Sequence, residues 1–192
     1  MNDTRYGRFK DSPWFNQTLP PITVGGAGGI GSWFIILLMR TGEHQVILMD
    51  PDIVEDSNLA GQFYTESDVG KTKVEAVSDH VDLMCGKKPS LYYSTDRYLP
   101  DSDATPIMVS CFDNMQARED MFRNWEQQDN SKLFIDGRMN AEAFQLFAVT
   151  PKNVERYKKH LYNDASVPDL PCSFKATSHT AAMLAGKMVA VL

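Results

Sequence analysis

This sequence offers little thiol chemistry, no long apolar run and no excess of basic charge. Its three cysteines, Cys85, Cys111 and Cys172, are odd in number and widely spaced. That excludes the disulfide framework of a small secreted domain and leaves reduced thiols as the expectation. No C-x-x-C pair occurs, so a zinc site built from two such pairs is excluded too. His44, His80, His160 and His179 show no ligand spacing. The longest apolar stretches, such as Trp33 to Met39, fall well short of the ~20 residues that cross a bilayer. Residues 1–20 are polar and contain no signal-peptide h-region, so a cytoplasmic location is expected. With 19 Lys and Arg against 25 Asp and Glu, the net charge is −6. A general binder of nucleic acid or of a membrane surface needs clustered cations to meet phosphates. The expected partner is therefore a protein or a small molecule. Repeats and low-complexity tracts are also missing. What remains is a globular composition, 43% apolar and 23% charged over 192 residues, sufficient for one domain with a real core.

The most informative segment runs Thr23-Val24-Gly25-Gly26-Ala27-Gly28-Gly29-Ile30-Gly31-Ser32, continues through apolar positions and ends in Val46-Ile47-Leu48-Met49-Asp50. It reads as strand, glycine turn, helix and second strand closing on a carboxylate. Gly26, Gly28 and Gly31 have the G-x-G-x-x-G spacing, which with Gly29 lets backbone N–H groups and a helix N-terminus approach a phosphate. Asp50 follows Gly26 by 24 residues, close to the roughly 20 expected of an acid that holds ribose hydroxyls. A turn that merely packs a helix on a sheet would not call for that acid. The spacing leaves NAD, FAD and ATP open.

Residues 1–21 read as an irregular arm interrupted by Pro13, Pro20 and Pro21, and residues 22–192 as a single nucleotide-binding domain. Helical patterns cover Gly29–Arg40, ended by Gly42, then Lys71–Met84, Asn114–Gln127, a short piece at Asn153–Tyr162, and Ser178–Leu192. Strands are expected at Val46–Asp50, Leu91–Ser94, Ile107–Cys111, Leu133–Asp136 and Phe144–Val149. This alternation predicts an α/β, Rossmann-like fold, with a mainly parallel sheet, helices on both faces and antiparallel pairing toward the C-terminal side.

Beyond the glycine turn, three further motifs follow in order. They are Asp50-Pro-Asp52 leading to Ser57-Asn58-Leu59-Ala60-Gly61-Gln62, then Gly70-Lys71-Thr72-Lys73-Val74-Glu75, then Cys111-Phe112-Asp113-Asn114. Together with the turn they resemble the ThiF/MoeB/HesA adenylyltransferase family, related to the ubiquitin-activating enzymes, over roughly residues 22 to 190.

The resemblance implies ATP-dependent adenylation of the C-terminal carboxylate of a small ubiquitin-like or sulfur-carrier protein with a Gly-Gly tail, in a homodimer. It implies ATP with Mg²⁺ as cofactors, with Asp113 as metal ligand, Lys73 (or Lys71) on the β/γ-phosphates, Asn58 and Gln62 as hydrogen-bond donors, and Asp52 supporting their loop. An N-cap for the following helix is the plain alternative for Asp113, and a solvated helix face the plain alternative for the lysines.

The family carries an arginine where this chain has Gly61, so a cation is missing. Arg8, in Arg5-Tyr6-Gly7-Arg8, resembles the family's arginine that reaches a neighbouring subunit, and Arg138 is a second candidate. Cys172 matches the region where relatives often carry an acyl or sulfur acceptor, with a buried inert thiol as the alternative. Relatives usually continue past the last apolar helix, so a minimal or truncated member is expected. A weak or inactive relative that binds nucleotide or partner, and an NAD-dependent dehydrogenase, are the competing functions.

Overall fold

The computed structural model describes residues 6–15, 18–86, 90–162 and 177–192. A six-stranded sheet runs in the order β3-β2-β1-β4-β5-β6. Its strands are β1 (Ile22–Gly25), β2 (Val46–Met49), β3 (Leu91–Ser94), β4 (Ile107–Ser110), β5 (Leu133–Asn140) and β6 (Ala143–Val149). The first five are mutually parallel, and β6 returns antiparallel against β5. The helices are α1 (Gly29–Met39), α2 (Lys73–Cys85), α3 (Met115–Glu126), α4 (Val154–Lys158) and α5 (Ser178–Val189). None is long and apolar enough to cross a membrane among the described residues.

Side-chain alternation on the strands builds two cores, because successive residues face opposite sides of a sheet. Ile107, Val109 and Ile135 join α1, α2 and α5 on one face, through Phe34, Val77 and Leu184. Met108 and Phe134 join Met121, Phe122 and Trp125 of α3, with Tyr157 of α4, on the other. The fold is thus the Rossmann-like α/β sandwich expected, with the chain leaving β1 toward β2 on one side and β4 taking the other. The crevice at the carboxyl ends of β1 and β4 is the switch point at which such sheets bind ligands.

Several boundaries differ from the sequence reading, and three show why. Helix α1 ends at Met39 without help from Gly42: Arg40 keeps right-handed helical geometry and the Thr41 hydroxyl donates to the Leu38 carbonyl at 2.7 Å. Helix α2 begins at Lys73, because Thr72 and Glu75 exchange a capping box. Strand β5 runs past Asp136 to Asn140 and turns through Ala141, at φ 52°, into β6. The sequence reading ends this strand at Asp136, with Arg138 leaving its end; in the fold both lie within β5 and neutralise one another inside the protein. In the arm, Tyr6, Phe9, Trp14 and Phe15 cluster ring against ring.

Candidate functional site

The turn after β1 is shaped by what its glycines permit. Gly26 has φ 95°, a region favouring glycine. A Cβ on Gly31 would lie 1.8 Å from the Gly26 carbonyl oxygen, so only glycine lets α1 start this close to the sheet. Gly28 differs: a Cβ there would meet nothing within 4 Å among the described residues. Gly28 caps α1 and Gly29 opens it, and no side chain satisfies the cap. The first N–H groups of this helix are therefore left for a ligand, at the positive end of the helix dipole.

Asp50, 6% exposed, holds the turn from the end of β2. Its carboxylate accepts the Ala27 N–H at 2.6 Å and the Asp52 N–H at 2.8 Å. Burial raises its pKa against the pull of those two bonds and of Lys73. Lys73, only 8% exposed, directs its Nζ to Asp52 Oδ2 at 2.8 Å. A cavity of about 470 Å³ opens beside this pair, lined by Pro51, Asp52, Ile53, Glu55, Asn58 and Lys73. Lys71 instead reaches Asp79 at 2.8 Å and Asp68 at 3.4 Å, and does not line the cavity. Asn58 folds its own turn by accepting the Glu55 N–H at 3.0 Å, which leaves its amide group near Ser57 Oγ at 3.4 Å. Gln62 Oε1 is buried with no hydrogen-bond partner among the described residues.

On the other side of the switch point, Asp113 follows β4 and is exposed. The helix cap that competed for it belongs to its neighbour: Asn114 Oδ1 accepts the Ala117 N–H at 2.9 Å. Among the described residues Asp113 keeps only a 3.3 Å contact from Asn114 Nδ2. Among the described residues no three His, Cys, Asp or Glu side chains converge on a metal position. A single carboxylate is nonetheless what Mg²⁺ takes when phosphate oxygens and waters complete its shell.

Arg138 departs from its expected role. It is 8% exposed, bonded to Asp136 Oδ2 at 2.6 Å and the His160 carbonyl at 2.8 Å, and lies over the Phe147 ring. A guanidinium so committed is a structural ion-pair partner. It is not free to meet a phosphate at the cavity. Asp136 is fully buried and also accepts from Arg118 and from the Tyr157 hydroxyl at 2.8 Å. Arg118 further donates to the Phe112 and Gly137 carbonyls.

Residues 21–192 match the ThiF family. The chain belongs to that family. The tRNA threonylcarbamoyladenosine dehydratase 1 of Saccharomyces cerevisiae is 27% identical over 109 residues, covering 52% of this chain and 25% of that protein. The ubiquitin-like modifier-activating enzyme 5 of Culex quinquefasciatus is 26% identical over 144 residues, covering 62% of this chain and 36% of that one. The chain thus spans about a quarter to a third of these curated relatives. The E. coli tRNA N6-threonylcarbamoyladenosine dehydratase, solved in complex with ATP, has the same fold with a TM-score of 0.72 at 18% identity, covering 97% of this chain and 92% of that one.

Within the ThiF fold, Asp52, Asn58 and Lys73 line one cavity, the Gly26, Gly28, Gly29 and Gly31 turn is tied to it through Asp50, which accepts from both Ala27 and Asp52, and Asp113 follows β4. Gly61 is buried and brings no charge. Arg8 is exposed on the arm and is not among the cavity-lining residues. Cys172 lies outside the described residues. Cys111 is buried, which pushes its thiol far up and makes it inert. Sequence reasoning missed Tyr64 and Arg118. Arg118 had a readable signal, since it falls one helical turn after the Asn114 cap and so returns toward the Asp113 loop. Tyr64, an aromatic in a polar loop, had none.

Proposed function

We propose that this chain is an ATP-dependent adenylyltransferase. The observation that carries the reading is the cavity lined by Lys73, Asn58 and Asp52, joined to the glycine turn by Asp50, which accepts from the Ala27 and Asp52 N–H groups. A glycine turn alone would serve any dinucleotide. A buried lysine next to it serves a group with more charge than a pyrophosphate diester, and the ATP complex of a neighbour with this fold supports that nucleotide.

In the proposed reaction a carboxylate oxygen attacks the α-phosphorus of ATP. The bond from that phosphorus to the α,β-bridging oxygen breaks, and pyrophosphate leaves. Such a step needs charge stabilisation and in-line placement more than covalent help. Backbone N–H groups of the turn would hold phosphate oxygens, Asp50 the ribose hydroxyls, and Lys73 the developing pyrophosphate charge. Asn58 and Gln62 would orient the reacting carboxylate and phosphate. Asp113 would hold Mg²⁺, which when bound neutralises charge on the phosphates.

We take the carboxylate to be the C-terminus of a small ubiquitin-like or sulfur-carrier protein with a Gly-Gly tail. The acting unit is a cytoplasmic homodimer in which Arg8 completes the partner's site. Cys172 would then take the activated acyl group or sulfur. Gly61, together with the internal commitment of Arg138, favours one second reading: a ThiF protein that binds nucleotide and partner with little turnover. ATP–pyrophosphate exchange in the presence of candidate carriers tests the first reading directly. Exchange stimulated by a carrier supports it, whereas ATP binding without exchange under any carrier favours the second. Tighter binding of NAD than of ATP would remove both.

A further inference from the structure

Tyr64 lies in the loop between the Asn58 turn and α2 and is buried, only 7% exposed. Its hydroxyl donates to the Ala27 carbonyl at 2.5 Å and sits 3.4 Å from the Lys73 carbonyl. The Ala27 N–H is already taken by Asp50. The residue in the middle of the glycine turn is therefore held at both of its backbone groups. The peptide unit between Ala27 and Gly28 is planar and trans, so its C=O and N–H point in opposite directions. Pulling the Ala27 oxygen inward to Tyr64 turns the Gly28 N–H the opposite way, away from Tyr64, at a residue where even an added Cβ would meet nothing within 4 Å among the described residues. No acceptor for that N–H occurs among the described residues.

Resting on the nucleotide reading above, we propose that Tyr64 is a positioning residue: it aims the Gly28 N–H at a phosphate oxygen of the bound nucleotide. It touches neither the phosphate nor the adenosine, and acts through the Ala27 carbonyl. Because it also lies against the first residue of α2, it sets the spacing between the turn and Lys73 from one point. Burial and the nearby carboxylates of Asp50, Asp68 and Asp52 raise the hydroxyl far above its ordinary range, so it remains a donor wherever the fold is intact.

The test is calorimetric titration of the wild type and Tyr64→Phe with ATP and, separately, with adenosine. Losing one aimed hydrogen bond should weaken ATP about tenfold, with adenosine unchanged because it has no phosphate for the N–H to meet. Equal loss for both ligands would make Tyr64 a general structural residue and overturn the proposal. So would no loss for ATP, with the nucleotide reading left standing. Failure of the wild type to bind ATP at all would overturn that reading and this proposal with it. Should Tyr64→Phe not fold, amide hydrogen exchange of the wild type replaces it. Protection of the Ala27 amide comparable to β1, with the Gly28 amide exchanging freely until ATP is added, supports the assignment. A Gly28 amide indifferent to ATP overturns it.

Discussion

Lys73 Nζ stands 2.8 Å from Asp52 Oδ2, so the cation lining the cavity is already paired with the carboxylate beside it. A triphosphate entering the cavity competes with Asp52 for that lysine. Asp52→Asn should therefore bind ATP more tightly, by a factor of about five at most, since an ion pair with an exposed partner contributes roughly 1 kcal/mol or less. Calorimetry checks this, and weaker binding would assign Asp52 to direct contact with the nucleotide. Lys73→Ala should lose affinity and exchange together.

Asp113 and Asn114 should separate cleanly. Asp113→Ala is expected to lower ATP–pyrophosphate exchange by about 10²-fold or more while leaving thermal stability unchanged, because Asn114 makes the helix cap. Asn114→Ala should cost about 1 kcal/mol of stability. Near-normal exchange by folded Asp113→Ala protein would deny it a role at the phosphates.

Arg118→Ala should destabilise the protein by about 3–5 kcal/mol, the usual cost of stranding one member of a buried ion pair. Here the stranded group is Asp136, fully buried and shared with Arg138. Denaturant unfolding measures it. A loss under 1 kcal/mol would show that Arg138 and the Tyr157 hydroxyl suffice.

The Asp68–His80 contact, at 2.7 Å, predicts an acid limb in stability. Burial pushes the Asp68 carboxyl up, but the Thr65 N–H and hydroxyl and the His80 ring outweigh it and leave its pKa at about 2. A depressed carboxylate stabilises the fold above its ordinary pKa of 3.8, and that contribution disappears as pH falls from there toward about 2. Asp68→Asn should thus be less stable than wild type at neutral pH, with the gap closing across that window. A constant gap down to the lower limit would show that the charge is not what matters.

If Cys172 accepts the activated group, Cys172→Ser should still exchange pyrophosphate yet form no thiol-labile conjugate with the carrier. Mass spectrometry after incubation with ATP and carrier decides it: a conjugate that persists in the variant ends the assignment.

The sequence alone determined the order of strands and helices, the glycine turn and the acid after β2, because those depend on short-range rules. They follow from period-2 and period-3.6 patterning and from glycine's tolerance of φ 95° at Gly26. It also brought forward Lys73, Asn58 and Asp113, whose motifs are local. Only the tertiary structure shows that Lys73 lines the cavity and Lys71 does not, since two residues on one loop-to-helix junction diverge once Thr72 caps the helix. The same holds for Arg138. Its position just past an expected strand end made it a candidate for the missing cation, and pairing with Asp136, Tyr157 and Phe147 placed it inside. Tyr64 was invisible for a further reason. Its partner, the Ala27 carbonyl, lies 37 residues away in sequence, and no local pattern encodes a hydrogen bond to a backbone oxygen across that separation.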